Sequence, residues 1–267
     1  MQCHSGKEVN ANAARSGEVV TKGDYLRGQL ASFRRRVHRA LALVEEAAAI
    51  GPVGVCFSGG KDSTVLLHLV RRVLPEAPAG FFDSGAELAD TLALMAATPN
   101  LTVIPAEPSL IEMCRAGGYW GAQTDTPDLE FDFGEHLIFE PSRQFRARHD
   151  LEVLALGLRA QESVGRWFNA RRKGALYWHQ GERVWHLCPL QDWSTDDIWA
   201  YIAVNEVPYN RAYDRMSGLG MDRDQMRVSC ALGADAVGFG RYAYLKQLDP
   251  ELWNRLVAVF PKLAVYV

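Results

Sequence analysis

The six residues Ser58-Gly59-Gly60-Lys61-Asp62-Ser63 combine two glycines, a cation and two hydroxyls directly after a short apolar run, residues 53–57. Such a turn from a strand into a helix presents backbone N–H groups at the helix N-terminus, where the partial positive charge favours a phosphate. Gly59 and Gly60 allow a tight bend and close approach of an anion, and Lys61 adds a cationic donor. These residues predict a phosphate- or pyrophosphate-binding loop. The structural alternative is a glycine-rich turn without a ligand.

The loop differs from a Walker A loop at two positions. Asp62 stands where that loop carries the Ser or Thr that holds Mg²⁺, and Val55 occupies a position that requires glycine. A different class of nucleotide-binding loop is therefore predicted.

Two arginines are further candidates for phosphate binding. Arg159 and Arg166 are seven residues apart at a predicted strand-to-helix junction, which places them about two turns apart on one helix face. Guanidinium groups bind phosphate bidentately and stay charged. Residues 143–173 contain eight Lys or Arg against three acidic residues. The alternative is a solvated, charged helix face.

Two carboxylates, Asp62 and Asp83, follow predicted strands at their carboxyl ends, where open α/β sheets bind ligands. Carboxylates at this place suit a Mg²⁺ ion that accompanies ATP. Both are candidate magnesium ligands, and the sequence leaves open whether they bind metal.

Alternating strands and helices must position these residues. Apolar runs at 53–57, 80–82, 101–104 and 151–156 indicate strands, and a proline-free stretch from about Asp24 to Ile50 indicates one long helix. The alternation predicts an α/β fold with a three-layer, mainly parallel twisted sheet and helices on both faces. The predicted division is a flexible lead at 1–22, a nucleotide-binding α/β domain at 23–215 and a helical C-terminal segment at 216–267. Residues 117–140 are predicted to form a loop-rich excursion, with a position over the site left open.

Four segments in order resemble the phosphoadenosine phosphosulfate (PAPS) reductase family of the PP-loop ATP pyrophosphatase, or adenine nucleotide α-hydrolase (HUP-type), superfamily. The loop at 58–63 resembles the PP-loop signature, and residues 83–91 resemble the family's Asp-Thr-Gly segment. Residues 157–166 are similar to its Gly-x-Arg-x-x-Glu-Ser-x-x-Arg segment. Residues 189–202, with Pro208-Tyr209-Asn210 and Tyr213-Asp214, resemble its Trp-x-x-x-Asp-Ile-Trp…Pro-Tyr-Asn block.

The resemblance implies chemistry at the α-phosphate of an adenine nucleotide, with ATP and Mg²⁺ as ligands. It implies catalytic roles for Lys61, Asp62, Arg159 and Arg166. The implied nucleotide-binding residues are Ser58, Gly59, Gly60, Lys61, Asp62, Ser63, Asp83, Ser84, Gly85, Gly157 and Arg159. Candidates for contact with substrate or sulfur are Glu162, Ser163, Tyr209, Asn210 and Cys230.

The cysteines depart from the reductase pattern. The five cysteines are scattered without Cys-x-x-Cys spacing, Gly233 stands where family members carry the second cysteine after Cys230, and no cysteine follows Cys230. No iron–sulfur cluster is therefore expected. This pattern favours an ATP pyrophosphatase that adenylates an acceptor for sulfur transfer over the alternative, a PAPS or APS reductase. A non-catalytic nucleotide-sensing subunit is the third alternative.

The family resemblance also suggests partners. Standalone relatives act in DNA phosphorothioation, so DNA, DNA-modification proteins and a cysteine desulfurase or other sulfur donor are compatible partners, as is a homodimer. Cys230 is a candidate sulfur relay; its alternative is a small buried side chain. Cys56 is expected in the core, and the sequence does not decide the role of Cys188.

Other residues favour structural roles. Ser194-Thr195-Asp196-Asp197 predicts a capped helix start, with Trp193 and Trp199 in the core. The histidines His68, His136, His149, His179 and His186 show no metal-ligand spacing.

Composition excludes several classes of protein. The 267 residues are 48% hydrophobic and 23% charged, with a net charge of −3, which is typical of a folded chain without a global attraction to nucleic acid. No apolar run is long enough to span a membrane, no secretory signal is recognised at the N-terminus, and the scattered cysteines favour a reducing cytoplasm.

Overall fold

Six strands form one sheet in the computed structural model, which describes residues 18–127, 129–228 and 241–266. In chain order they are β1 (Val53–Cys56), β2 (Ala79–Asp83), β3 (Leu101–Pro105), β4 (Val153–Ala155), β5 (Leu176–His179) and β6 (Val184–Leu187). The order across the sheet is β3-β2-β1-β4-β6-β5, and all neighbours are parallel except β5 with β6. The prediction of a mainly parallel sheet is confirmed.

Helices connect and cover the strands. They are α1 (Lys22–Gly28), α2 (Ala31–Ala48), α3 (Lys61–Val73), α4 (Ala89–Ala97), α5 (Leu110–Ala116), α6 (Glu140–His149), α7 (Val164–Lys173), α8 (Thr195–Asn205), α9 (Ala212–Gly218), α10 (Arg241–Leu248) and α11 (Pro250–Val259). The side chains of β4 point alternately to the two faces of the sheet. Val153 and Ala155 enter the larger core, and Leu154 packs with Phe145 of α6 in a smaller one. Both faces are therefore covered, as predicted.

The single long helix predicted from Asp24 to Ile50 is wrong, because the chain breaks into α1 and α2 at Gln29-Leu30. Leu30 is extended, with φ −67° and ψ 136°. Gly28 packs so closely on α8 that a Cβ atom there would lie 2.2 Å from Cγ1 of Val204. Tertiary packing of α1 on α8 thus overrides a helical pattern that is continuous in sequence.

The capped start predicted for α8 is confirmed. Ser194 Oγ accepts from the N–H of Asp197 at 3.1 Å, and Asp197 Oδ2 accepts from the N–H of Ser194 at 2.9 Å. Trp193 and Trp199 are buried in the larger core, as expected.

The stretch that the sequence predicts as a loop-rich excursion contains two short helical turns. Residues 117–140 contain a 3₁₀ turn, Tyr119–Gly121, and a π-helical turn, Glu135–Phe139, that runs directly into α6. The predicted lead at 1–22 lies outside the described residues except for its last five positions. Within the described ranges, every helix is too short or too polar to cross a membrane.

Candidate nucleotide site

The loop between β1 and α3 is held by its own serines. Ser63 Oγ accepts from the N–H of Ser58 at 3.2 Å and donates to the carbonyl of Gly60 at 3.0 Å. Gly59 has φ +70°, and a Cβ atom there would lie 2.7 Å from Cε of Met95. The sequence predicted this loop correctly as a strand-to-helix turn. The structure gives the two serines a bracing role in its formation.

Several amides of this loop have no hydrogen-bond partner in the described part of the chain. The first helical N–H, that of Lys61, donates to the hydroxyl of Tyr213 at 3.0 Å. The N–H groups of Gly59, Gly60, Asp62 and Ser63 make no such bond there. The N-cap residue, Gly60, provides no side chain to cap α3. Free amides at the start of a 13-residue helix form a site for an anion.

Beneath the loop lies a buried chain of charges, Lys61–Asp62–Arg159. Lys61 Nζ is 3.1 Å from Asp62 Oδ2, and Arg159 Nε donates to Asp62 Oδ1 at 2.5 Å. The side chains of Lys61 and Arg159 are 0% and 2% exposed. Burial lowers the pKa of Lys61, and the neighbouring Asp62 opposes that shift. Asp62 therefore compensates two buried cations.

This arrangement changes the interpretation of both cations. Arg159 is extended and precedes the 3₁₀ turn Ala160–Glu162, so the expectation that it shares a helix face with Arg166 is wrong. Its Nη1 group donates to Gln161 Oε1 at 3.2 Å and to the carbonyl of Trp193 at 3.4 Å, and its Nη2 lies 4.0 Å from Glu162 Oε1. Lys61 and Arg159 act on the loop through Asp62 in this structure, and their direct contact with phosphate stays a prediction.

A cleft of about 410 Å³ opens in front of the loop. Its lining includes Arg166 from α7, Arg227 from the segment after α9, and Gly157 from the end of β4. Arg166 forms an ion pair with Glu162, which also lines the cleft. Arg227 Nη1 donates to the carbonyls of Asp224 and Met226, each at 2.8 Å. Two guanidinium groups thus face the cleft that contains the free amides.

Sequence reasoning identified Arg166, Glu162 and Gly157 but missed Arg227 and Tyr213 as cleft residues. Tyr213 belongs to the Tyr-Asp pair at 213–214, so its motif was recognised without its role. Arg227 lies in the segment 227–233, which drew attention for its cysteine alone. Neither has a local pattern that distinguishes it from a surface or core residue.

A second cavity of about 300 Å³ adjoins the cleft and shares Cys56 and Ser58 with it. Its other lining residues are mainly apolar and include Phe57, Phe82, Leu137 and Ile138. Leu137 and Ile138 come from the π-helical turn, so the segment that the sequence left unassigned closes one side of this cavity. An apolar cavity beside an anion site is suited to a flat organic ring.

The loop after β2 forms the polar edge of that cavity. Asp83 Oδ1 accepts from the N–H of Gly85 at 2.8 Å, and Ser84 Oγ donates to Glu87 Oε1 at 2.7 Å. Burial raises the pKa of Glu87, although the bonds from Ser84 oppose this. Ser84 and Glu87 line the cavity, whereas Asp83 and Gly85 shape the loop.

The two candidate magnesium ligands, Asp62 and Asp83, differ in how many carboxylate oxygens are free to bind a metal ion. Both oxygens of Asp62 already face cations, so Asp62 fits a further cation poorly. Asp83 uses Oδ1 for the turn and is half-buried. Of the two carboxylates, Asp83 fits a Mg²⁺ ion that arrives with a nucleotide.

Three residues predicted to contact substrate make hydrogen bonds within the protein, and their contact with substrate stays a prediction. Asn210 is 1% exposed; its Nδ2 donates to Thr91 Oγ1 at 2.9 Å and its Oδ1 accepts from the N–H of Ala212 at 3.0 Å. Tyr209 donates its hydroxyl to Asp214 Oδ1 at 2.7 Å and packs on Trp199. Ser163 caps α7 by accepting from the N–H of Arg166. These bonds join elements that the sequence motif placed in order without showing their contacts.

The cysteines differ in their access to the two cavities. Cys230 lies outside the described residues. Cys56, expected in the core, is half-buried and lines both cavities. Burial raises the pKa of Cys56 and of Cys188 to about 12, so both are neutral thiols at pH 7.

The fold and this loop match a known family over most of the chain. The model of the phosphoadenosine phosphosulfate reductase domain matches residues 52–219, and the chain belongs to that family. This confirms the resemblance that the four sequence segments indicated.

Individual relatives are distant. An uncharacterized protein of Methanocaldococcus jannaschii is 24% identical over 90% of this chain and 56% of its own length. The adenosine 5′-phosphosulfate reductase of Halalkalibacterium halodurans is 27% identical over 59% of this chain and 67% of its own length. The chain spans about half the length of the first curated relatives it matches, with shares of 56% and 40%.

A solved structure supports the fold. The phosphoadenylyl-sulfate (PAPS) reductase of Candida auris, crystallised as a phosphate complex, superposes with a TM-score of 0.51 at 17% identity. It covers 68% of this chain and 85% of its own.

Proposed function

We propose that this protein is an ATP pyrophosphatase that adenylates an acceptor for sulfur transfer. The observation that carries the proposal is the group of unpartnered amides at the start of α3, which opens into a cleft faced by Arg166 and Arg227. The β- and γ-phosphates of ATP would occupy the amides, and the adenine ring would enter the adjoining apolar cavity. This extends the nucleotide chemistry of the family to the residues of this chain.

The chain's own groups favour departure of pyrophosphate. An acceptor oxygen attacks the α-phosphorus in line, the bond to the β-phosphate oxygen breaks, and pyrophosphate leaves with the electron pair. The loop amides stabilise the developing negative charge, as do Arg166 and Arg227, in a site that needs no covalent intermediate. A persulfide from a cysteine desulfurase then attacks the activated acceptor, and AMP leaves. A second thiol attacks the donor sulfur of the resulting S–S bond, which leaves one sulfur on the acceptor and a disulfide on the donor side.

The described cysteines support pyrophosphatase over reductase chemistry. A sulfonucleotide reductase needs a thiolate that attacks sulfur, and Cys56, which lines the cleft, has a pKa raised to about 12. Reduction of APS or PAPS is therefore the second candidate, and it is favoured by the reductase family match and by the reductases among the relatives.

A nucleic acid is the acceptor we favour, because α7 exposes aromatic and basic side chains together. None of its residues is buried, and Trp167 and Phe168 are 42% and 61% exposed. The guanidinium of Arg171 lies 4.6 Å from the ring centroid of Trp167. Exposed rings beside arginines stack on bases and contact phosphates. Arg166, on the same helix, lines the cleft, so a strand bound on α7 would reach the nucleotide.

The test is product analysis with ATP and Mg²⁺, with and without DNA. AMP and pyrophosphate are expected, with the rate reduced by Arg227→Ala but unchanged by Arg34→Ala, a matched substitution on the exposed face of α2. ADP and phosphate as products would contradict the proposal, and sulfite from APS or PAPS with a thiol reductant would establish the second candidate.

The acceptor is tested separately by binding of labelled single- and double-stranded DNA. Trp167→Ala with Phe168→Ala should weaken binding by about 1–3 kcal/mol per lost stack, while the exposed apolar change Leu92→Ala on α4 leaves it unchanged. Equal binding by both variants would exclude α7 as the nucleic-acid surface.

A further inference from the structure

The hairpin of β5 and β6, which the sequence analysis did not anticipate, brings two histidines together on one face. Tyr177 pairs with His186 and His179 with Val184 across the two strands, so both histidines project from the same side. Their rings stack with centroids 4.6 Å apart and planes at 15°. The spacing of these residues along the chain does not match a metal-ligand motif, because their proximity arises from the strand register.

A carboxylate from the turn completes the cluster. Glu182 Oε1 lies 3.4 Å from Nδ1 of His179 and 3.6 Å from Nε2 of His186. One donor atom from each of the three residues lies within 4.8 Å of the others. Two donors that bind zinc at ~2.1 Å and subtend a tetrahedral angle are about 3.4 Å apart. The two separations from Glu182 fit one shared ion, and the 4.8 Å limit allows the histidine nitrogens to close on it.

One of these donors is buried, and the Glu182 carboxylate lies beside it at 3.6 Å. The side chain of His186 is 7% exposed, and its Nε2 makes no hydrogen bond within the described chain. A buried polar atom in this state costs free energy that a bound ligand would recover. The other ring nitrogen, Nδ1, lies 3.2 Å from the hydroxyl of Tyr177. In the tautomer in which Nδ1–H donates to Tyr177, Nε2 carries a lone pair that is available to a metal ion, and the Tyr177 bond orients the ring.

His179 is the adjustable ligand. Its Nδ1 accepts from the N–H of Glu182 at 3.1 Å, and its side chain is 30% exposed. Binding a metal through Nδ1 replaces that hydrogen bond and leaves the amide next to solvent.

We propose that His179, Glu182 and His186 bind one Zn²⁺ ion, with water in the fourth position. Two imidazoles and one carboxylate form a donor set that suits zinc among the available divalent ions, because imidazole favours borderline metals over Mg²⁺ and Ca²⁺. The ion would join both strands of the hairpin to its turn and so fix the antiparallel edge of the sheet. This site is separate from the nucleotide chemistry proposed above and stands or falls independently of it.

The test uses the full chain, freed of metal with a chelator, kept reduced and then titrated with Zn²⁺ and Co²⁺. One equivalent of Zn²⁺ should bind and raise the melting temperature, and the Co²⁺ complex should show tetrahedral d–d bands without a sulfur-to-cobalt charge-transfer band. The spectrum separates this cluster from binding by cysteines.

Three variants decide the assignment. Changes in surrounding hydrogen bonds alone cost roughly 10–100-fold in metal affinity, so His179→Gln and Glu182→Gln should each cost at least that. His38→Gln, at an exposed histidine of α2, should bind as the native chain does. Melting without metal checks that the variants fold. Native affinity in both cluster variants, a sulfur band with Co²⁺, or no zinc binding by the native chain would overturn the proposal.

Discussion

Asp62 is the residue on which the phosphate loop most depends, because its carboxylate lies between two buried cations. Lys61 and Arg159 are nearly inaccessible, and each lies against a different oxygen of its carboxylate. Removal of one partner from such a network leaves charge buried without compensation.

Asp62→Asn should therefore lower the free energy of unfolding by about 3–5 kcal/mol. The matched change Asp192→Asn breaks an exposed pair, with Arg39 at 3.1 Å, and should cost less than about 1 kcal/mol. Urea denaturation of both variants measures the difference. Equal, small losses would show that the Lys61–Asp62–Arg159 chain contributes little to the fold.

Glu87 should make stability fall with rising pH. Burial raises its pKa in the folded state above the ordinary 4.5, so the stability it contributes is present below that value and is lost as pH rises through the folded pKa. Glu87→Gln keeps the acceptor for Ser84 and stays neutral. Its stability relative to the native chain should therefore increase with pH above 4.5 in thermal melts.

Glu112 is a control whose contribution to stability should depend on pH in the opposite direction. Bonds from Ser109 lower its pKa, so its contribution is present above the ordinary value and is lost as pH falls through the folded pKa. Glu112→Gln should be less stable than the native chain at pH 7, with the difference fading toward low pH. The same slope for both variants would contradict the assignment of Glu87.

At the scale of elements, the start of α8 connects the N-terminal helix to the core. Arg27 of α1 donates to Asp197 Oδ1 at 2.9 Å and to Ser194 Oγ at 3.0 Å, so the residues that cap α8 also hold α1. A cap that serves two helices should matter more than an isolated one.

Ser194→Ala should cost about 1 kcal/mol for the cap and in addition loosen α1. Amide hydrogen exchange should show faster exchange in α1 as well as in the first turn of α8. Ser194→Thr, which retains the hydroxyl, is the control. Exchange confined to α8 would show that α1 is held by other contacts.

The sequence predicted elements where the signal is local. The β1–α3 turn, the α8 cap and the first four strands each have glycine, capping or apolar patterns within a few residues. The break between α1 and α2 and the β5–β6 hairpin depend on contacts with distant segments, Val204 in the first case. In the site, residue types identified the loop, whereas burial of Lys61 and Arg159 is decided by tertiary packing around Asp62.

At the scale of the whole molecule, an anion that binds the loop stabilises every element that packs on it. Inorganic pyrophosphate at 100 times its dissociation constant should stabilise the native chain by about 2.7 kcal/mol. Gly59→Ala should abolish this shift, because a Cβ atom there meets Met95 at positive φ. Gly218→Ala, where a Cβ atom meets open space, should retain it.

Thermal melts with and without pyrophosphate measure both variants. An undiminished shift in Gly59→Ala would place the anion away from the loop.

The phenol of Tyr213 lies where the start of α3 meets the cleft. It takes the first N–H of α3, a group that an incoming phosphate oxygen would also seek. Under the proposed function, a phosphate oxygen that accepted this N–H would replace the hydroxyl of Tyr213. Because Tyr213 belongs to α9, that replacement would break a contact between the phosphate loop and the carboxy-terminal helices.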